Sequence, residues 1–173
     1  MSAHVSPDPG LRVVVVEHAD ADAIAGLRAL VSEYVQTWYA PDQPLSDPDT
    51  ALLATLPALL AATDSQALLA VLAGAPVGCL LVRPAPGDPG ALEIRKMFVR
   101  PAARRSGAAR ALLGAASAFA TSAHDRRLVL CVHADRRAAR ELYRSFGFAE
   151  TGIDADGFVS MSACLPPLRP AEA

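Results

Sequence analysis

The chain has 173 residues, enough for one domain with a substantial core and too few to require two. Apolar residues make up 52% of it, yet no stretch runs to about 18 apolar positions without a charge, a proline or another break, so no helix is expected to cross a membrane. The net charge of −2 conceals three blocks: 3 Arg against 10 acids over residues 1–92, 12 Arg or Lys against 4 acids over residues 93–144, and 1 Arg against 4 acids over residues 145–173.

A central block so rich in cations favours an anionic ligand. Aromatic side chains that could stack on bases are scarce in it (Phe98, Phe119, Tyr143), which argues against nucleic acid and for a compact phosphorylated molecule. Apart from Lys96, the only lysine of the chain, its cations are arginines, whose planar fork suits phosphate. Cys79, Cys131 and Cys164 lie far apart, without a CxxC pair, so neither a disulfide framework nor a metal site is expected. Cys79 and Cys131 fall in apolar runs and read as packing residues in a reducing compartment. Residues 1–10 show no basic region followed by an apolar run and read as a flexible arm rather than a secretory signal. A cytoplasmic protein is the expectation.

In chain order, Leu11 to Glu17 is a β-branched run and predicts a first strand. Asp20 and Asp22 are candidate caps for a helix over 21–37, with Ile24, Leu27, Leu30, Val31, Tyr34 and Val35 at helical spacing. Trp38 and Tyr39 close it before the proline-rich loop from Ala40 to Pro48, and a second helix over 50–62 carries Pro57 as a potential kink. Gln66 to Leu72 and Val77 to Arg83 read as a hairpin, and Leu92 to Val99 as a long strand with one polar face. A helix with Leu112, Leu113, Ala116, Phe119 and Ala120 on one stripe follows. Leu128 to His133 reads as a buried central strand, Arg136 to Ser145 as a helix stopped by Gly147. Strand character resumes at Phe148, the last strand runs over 157–165, and residues 166–173 read as a tail. Residues 11–165 are thus expected to form a single mixed α/β domain.

The most informative stretch is Met97-Phe-Val-Arg-Pro-Ala-Ala-Arg-Arg-Ser-Gly-Ala-Ala-Arg-Ala-Leu-Leu113, a strand, a loop and a helix start. A helix start leaves N–H groups pointing outward with partial positive charge, where a pyrophosphate can accept several hydrogen bonds. Gly107, Ala108 and Ala109 permit close backbone approach, and the arginines add charge. On these grounds any pyrophosphate ligand would suit. Arg104-x-x-Gly107-x-Ala109 resembles the (Q/R)xxGx(G/A) loop of the GNAT superfamily of N-acetyltransferases, preceded by the matching Val99-Arg100-Pro101 and followed by Leu112-Leu113. Ala139-Arg-Glu-Leu-Tyr-Arg-Ser-Phe-Gly-Phe148 is similar to the family's A-x-x-L-Y-x-x-x-G-F segment, and Pro76-Val-Gly-Cys79 to the strands before the loop.

The resemblance implies a largely antiparallel sheet of six to seven strands flanked by about four helices and splayed between the fourth and fifth strands. It implies acetyl-CoA as acyl donor. The pantetheine arm would pair with Met97, Phe98 and Val99 and lie beside the strand ending at His133, and the pyrophosphate would lie over Arg105, Ser106, Gly107, Ala108, Ala109 and Arg110, next to Arg104. Arg105 stands where many members have glycine, and Arg136 where many have an asparagine that holds the coenzyme arm.

Acetyl transfer to an amine needs a neutral nucleophile, a donor to the oxygen that gains charge, and a proton for the departing thiolate. Tyr143 matches the family's usual proton donor; its other reading is a core aromatic. Glu93, on the strand that would present the thioester, is a candidate base, directly or through water, or else an ion-pair partner of Arg95 or Lys96. His133 is the alternative base. A small-molecule primary amine is the expected acceptor, attacked directly in a ternary complex. The resemblance puts Tyr34, Trp38 and Tyr39 where the family's variable first helices and loop cover the acceptor site; the other reading of Tyr34 and Trp38, the more common one, is core packing. A protein lysine or N-terminus, or a coenzyme-binding module without catalysis, are the alternatives. Exposed sheet edges would allow a homodimer.

Overall fold

The computed structural model describes residues 10–37, 47–122 and 127–165; the expectations for the arm, for Trp38 and Tyr39, for the loop up to Ser46 and for the tail lie outside these residues. The described residues form β1 (Leu11–Val15), α1 (Ala21–Gln36), α2 (Asp47–Ala61), β2 (Gln66–Leu72), β3 (Ala75–Pro84), β4 (Ala91–Val99), a 3-10 turn (Pro101–Ala103), α3 (Ala108–Ser122), β5 (Arg127–His133), α4 (Arg137–Ser145), β6 (Ala149–Ile153) and β7 (Phe158–Cys164). The strands make one sheet in the order β1-β2-β3-β4-β5-β7-β6. β1 runs antiparallel to β2, and β7 antiparallel to β5 and β6, while β4 and β5 are parallel. The parallel register covers Ala91↔Arg127, Leu92↔Leu128 and Glu93↔Val129. The mixed, largely antiparallel sheet is borne out, with the strand character from Phe148 onward forming β6 and β7.

By backbone contacts the chain divides into two compact units, Met1–Leu81 with Lys96–Ala115, and Val82–Arg95 with Ala116–Ala173. In the first unit, Asp20 caps α1 by accepting from the Ala23 N–H at 2.9 Å, with Asp22 in the positive first turn. The helix buries Leu27, Leu30, Val31 and Val35, one stripe at helical spacing, against Val16, Leu56, Ala67, Leu69, Val71, Cys79, Leu81 and Phe98. Each fully buried leucine contributes about 1.5–3 kcal/mol. Pro57 lies inside α2, which starts three residues earlier than the sequence predicts. The β2–β3 turn needs two left-handed residues, supplied by Ala73 (φ 49°) and Gly74 (φ 83°), the geometry whose twist suits a two-residue hairpin.

In the second unit, β5 and β7 alternate: Leu128, Leu130 and Val132 are buried, as are Val159, Met161 and Ala163, while the residues between them face outward. This corrects the reading of β5 as buried on both faces, and with it that of Cys131 as a packing residue. Cys131 has the outward parity and is exposed, as is Cys164; Cys79 alone is buried. Composition concealed this, because an apolar run reads the same whether one face or two is covered.

Candidate active site

The segment from Met97 to Leu113 lies in the first unit. Its strand, β4, is irregular: Lys96 has φ 51°, a left-handed conformation in a non-glycine residue that costs roughly 1–3 kcal/mol and persists only where surroundings impose it. Here the Cys79 thiol donates to the Lys96 carbonyl at 3.4 Å, and the Lys96 ammonium stands 5.2 Å from the centre of the Tyr34 ring, which meets Phe98 edge-on at 6.2 Å. Burial pushes the Cys79 thiol up to about 12, so it acts as a weak donor and not as a nucleophile. Met97 and Val99 are half-buried and Phe98 buried. β3 approaches so closely that a β-carbon at Gly78 would stand 2.8 Å from the Phe98 carbonyl oxygen and 3.0 Å from Val99 Cγ2.

Arg100 ends the strand. Its guanidinium bonds Glu33 of α1 from Nε (2.9 Å) and Nη2 (2.5 Å) and the Pro76 carbonyl from Nη1 (2.8 Å), tying helix, strand and hairpin together. The Arg100 hydrogen bond holds the Glu33 carboxyl below its ordinary value. The chain then turns at Pro101–Ala103; Arg104 Nε donates to the Val99 carbonyl at 3.4 Å, and Ser106 Oγ donates to the Ala103 carbonyl at 2.8 Å. Arg105 (φ 69°) and Gly107 (φ 93°) are both left-handed, and the Gly107 carbonyl accepts the first turn of α3 from the Ala111 N–H at 2.9 Å. Alternating handedness turns successive N–H groups toward one side, the concavity that receives anions, and the helix start adds its own N–H groups. Ala108 is buried beneath, whereas Arg104, Arg105 and Arg110 are exposed, and neither Arg104 nor Arg105 forms an ion pair among the described residues. The loop therefore fits a pyrophosphate.

The remaining predicted residues lie in the second unit. Tyr143 is buried on α4, its ring 5.8 Å from that of Phe148, and its carbonyl accepts from the Phe146 and Phe148 N–H groups as Gly147 (φ 84°) ends the helix. Arg136 is the residue before α4 and offers no side-chain cap; it stands 3.6 Å from Asp135. Arg140, on the same helix, reaches the Ala134 carbonyl (2.9 Å) and Glu150 (2.7 Å) and so ties α4 to β5 and β6. His133 ends β5 with Nδ1 2.8 Å from Asp135 Oδ1, which fixes Nε2 as the nitrogen turned toward Gly157, and its ring meets Phe158 edge-on at 5.3 Å. The imidazole contact holds the Asp135 carboxyl below its ordinary value.

Glu93 is 18% exposed and carries two arginines: Arg83 on Oε2 at 3.0 Å (Nε) and 2.9 Å (Nη2), and Arg95 on Oε1 at 3.5 Å. Oε1, with one long contact, is the oxygen with room for a proton. Glu93 and His133 are not brought together, since Glu93 pairs with Val129 and His133 lies four residues farther along β5, about 13 Å. Gly78 and Arg83 support the site through contacts that no sequence motif marks. Asp135, two residues after His133, was the one supporting residue findable from spacing.

A profile of the GNAT acetyltransferase family matches residues 27–148. Among solved structures, a GCN5-related N-acetyltransferase from Kribbella flavida is 25% identical, covers 90% of this chain and 98% of its own, and superposes with a TM-score of 0.71. An acetyltransferase from Streptococcus agalactiae is 15% identical over 91% of this chain and 100% of its own, with a TM-score of 0.74. A PaiA N-acetyltransferase from Thermoplasma acidophilum, solved in complex with coenzyme A, is 13% identical over 89% and 98%, with a TM-score of 0.69. No curated protein matches.

Proposed function

Because the chain belongs to the GNAT acetyltransferase family, we propose that it transfers the acetyl group of acetyl-CoA to the primary amine of a small molecule, by direct attack within a ternary complex. The observation that carries the donor half is the left-handed loop Arg105–Gly107 at the start of α3, flanked by exposed arginines. The coenzyme complex of the Thermoplasma enzyme, which has the same fold, supports the same ligand here. Bound acetyl-CoA supplies a thioester whose carbonyl carbon an amine can attack.

In this reading the N–H groups of Arg105 to Arg110 and the side chains of Arg104, Arg105 and Arg110 hold the pyrophosphate. The backbone of Met97, Phe98 and Val99 pairs with the pantetheine arm, and an N–H of that segment donates to the carbonyl oxygen as it gains charge. His133 and Arg136 border the arm. Glu93 takes the amine proton at Oε1, directly or through water, as the carbon–nitrogen bond forms. Tyr143 gives its phenolic proton to the sulfur as the carbon–sulfur bond breaks, and is reprotonated from solvent.

The test is release of free coenzyme A, followed chromatographically because Cys131 and Cys164 are exposed thiols, with acetyl-CoA against an amine library. Turnover with at least one primary amine is expected. Saturable acetyl-CoA binding without transfer to any amine would make the chain a coenzyme-binding module instead.

A further inference from the structure

The outward face of the second unit's sheet carries a cluster of charged side chains around Glu93. The registers place Glu93 beside Val129 and Val129 beside Ser162, and pair Cys131 with Ser160, whose Sγ and Oγ lie 3.6 Å apart. Arg95, two residues beyond Glu93 on β4, has the same parity, and Arg83 reaches Glu93 from β3. Arg127 is matched by Asp88. Among the described residues Arg83 and Arg95 together have only Glu93 as an ion-pair partner, so the cluster keeps one positive charge in excess.

The two guanidiniums are not equally committed. Arg83 grips Oε2 through two nitrogens at ordinary distances; Arg95 contacts Oε1 through Nη1 at 3.5 Å, the outer limit of a hydrogen bond, and is 37% exposed. A guanidinium has five N–H donors, and this contact uses one. A polyamine would meet net repulsion here. An amine that also carries a carboxylate or phosphoryl group would meet Arg95 with its anion and Glu93 Oε1 with its nitrogen, the two residues standing about 7 Å apart along the strand.

The geometry points to Arg95, supported by Arg83 and Glu93, as the anion anchor of the acceptor site, and to an amine bearing a carboxylate or phosphoryl group as the acceptor class. This rests on the acetyltransferase reading above. Arg95 becomes a specificity-determining residue: it accelerates nothing chemically but selects which amines are positioned beside Glu93.

The experiment compares short ω-amino carboxylates and ω-aminophosphonates with the isosteric carboxamides and with polyamines, measuring kcat/KM by coenzyme A release and acetyl-CoA affinity by calorimetry. Anionic amines should exceed their carboxamides by about tenfold or more, mainly through KM. Arg95→Met should bring that ratio toward one, and Arg95→Lys should retain part of it. The carboxylate and phosphonate arms show which anion is preferred. Carboxamides or polyamines turning over as fast as the anionic amines, or an unchanged ratio in Arg95→Met with intact acetyl-CoA binding, would overturn the inference and leave the acetyltransferase standing. A dimer that Arg95→Met dissociates would assign the face to a second copy of the chain and likewise overturn it. Failure of the wild type to bind acetyl-CoA would remove both readings.

Discussion

A β-carbon at Gly78 has nowhere to go while the Phe98 carbonyl oxygen stands 2.8 Å away, since that atom belongs to backbone and not to a flexible side chain. Gly78→Ala is therefore expected to move β4 and to cost about 1–3 kcal/mol in thermal or urea unfolding. Acetyl-CoA affinity should fall with it, because the displaced carbonyl lies in the segment proposed to hold the pantetheine arm. Tyr143→Phe tests another kind of dependence. It removes one oxygen from a buried ring and should lower kcat by about a hundredfold while leaving acetyl-CoA affinity near the wild-type value; unchanged turnover would remove Tyr143 as the acid. The cysteines give a check independent of function. Cys79 is buried with its thiol pushed up to about 12, whereas Cys131 and Cys164 are exposed, so thiol titration of the native chain should count two accessible groups and a third only on unfolding.

At the scale of elements, helices and strands were legible where periodicity is strong. The stripe Leu27, Leu30, Val31, Val35 and the cap Asp20 are where the pattern predicts, and the left-handed loop before α3 follows from Gly107 and its neighbours. What the sequence could not show is which side of a strand is covered, and so Cys131 was misread. Nor could it show which charges meet: Glu33 and Arg100 are 67 residues apart, and only folding brings them to 2.5 Å. That tie has a pH signature. The folded pKa of Glu33 is lowered, so its contribution is complete above the ordinary value of 4.5 and is lost as pH falls through the lower folded value. Glu33→Gln should remove that part of the acid slope in a stability profile. The effect should stay below about 1 kcal/mol, because the carboxylate is 40% exposed.

For the molecule as a whole, the cationic block over residues 93–144 is divided between arginines that pair within the fold and arginines proposed to meet the coenzyme. Arg95, Arg100, Arg127, Arg140 and Arg144 meet carboxylates within the fold, while Arg104 and Arg105 beside the α3 start do not pair among the described residues. Uneven charge was visible in the sequence; which arginines remain for a ligand was not, because that depends on where the acids fold. Acetyl-CoA affinity should accordingly weaken as salt rises, with exposed guanidiniums screened over a Debye length of about 10 Å at 0.1 M. The most direct measurement is calorimetric titration of the full chain with acetyl-CoA at low salt. Saturable binding with a Kd in the micromolar range, weakened by Arg105→Glu, is predicted; no saturable heat up to millimolar acetyl-CoA would contradict the account.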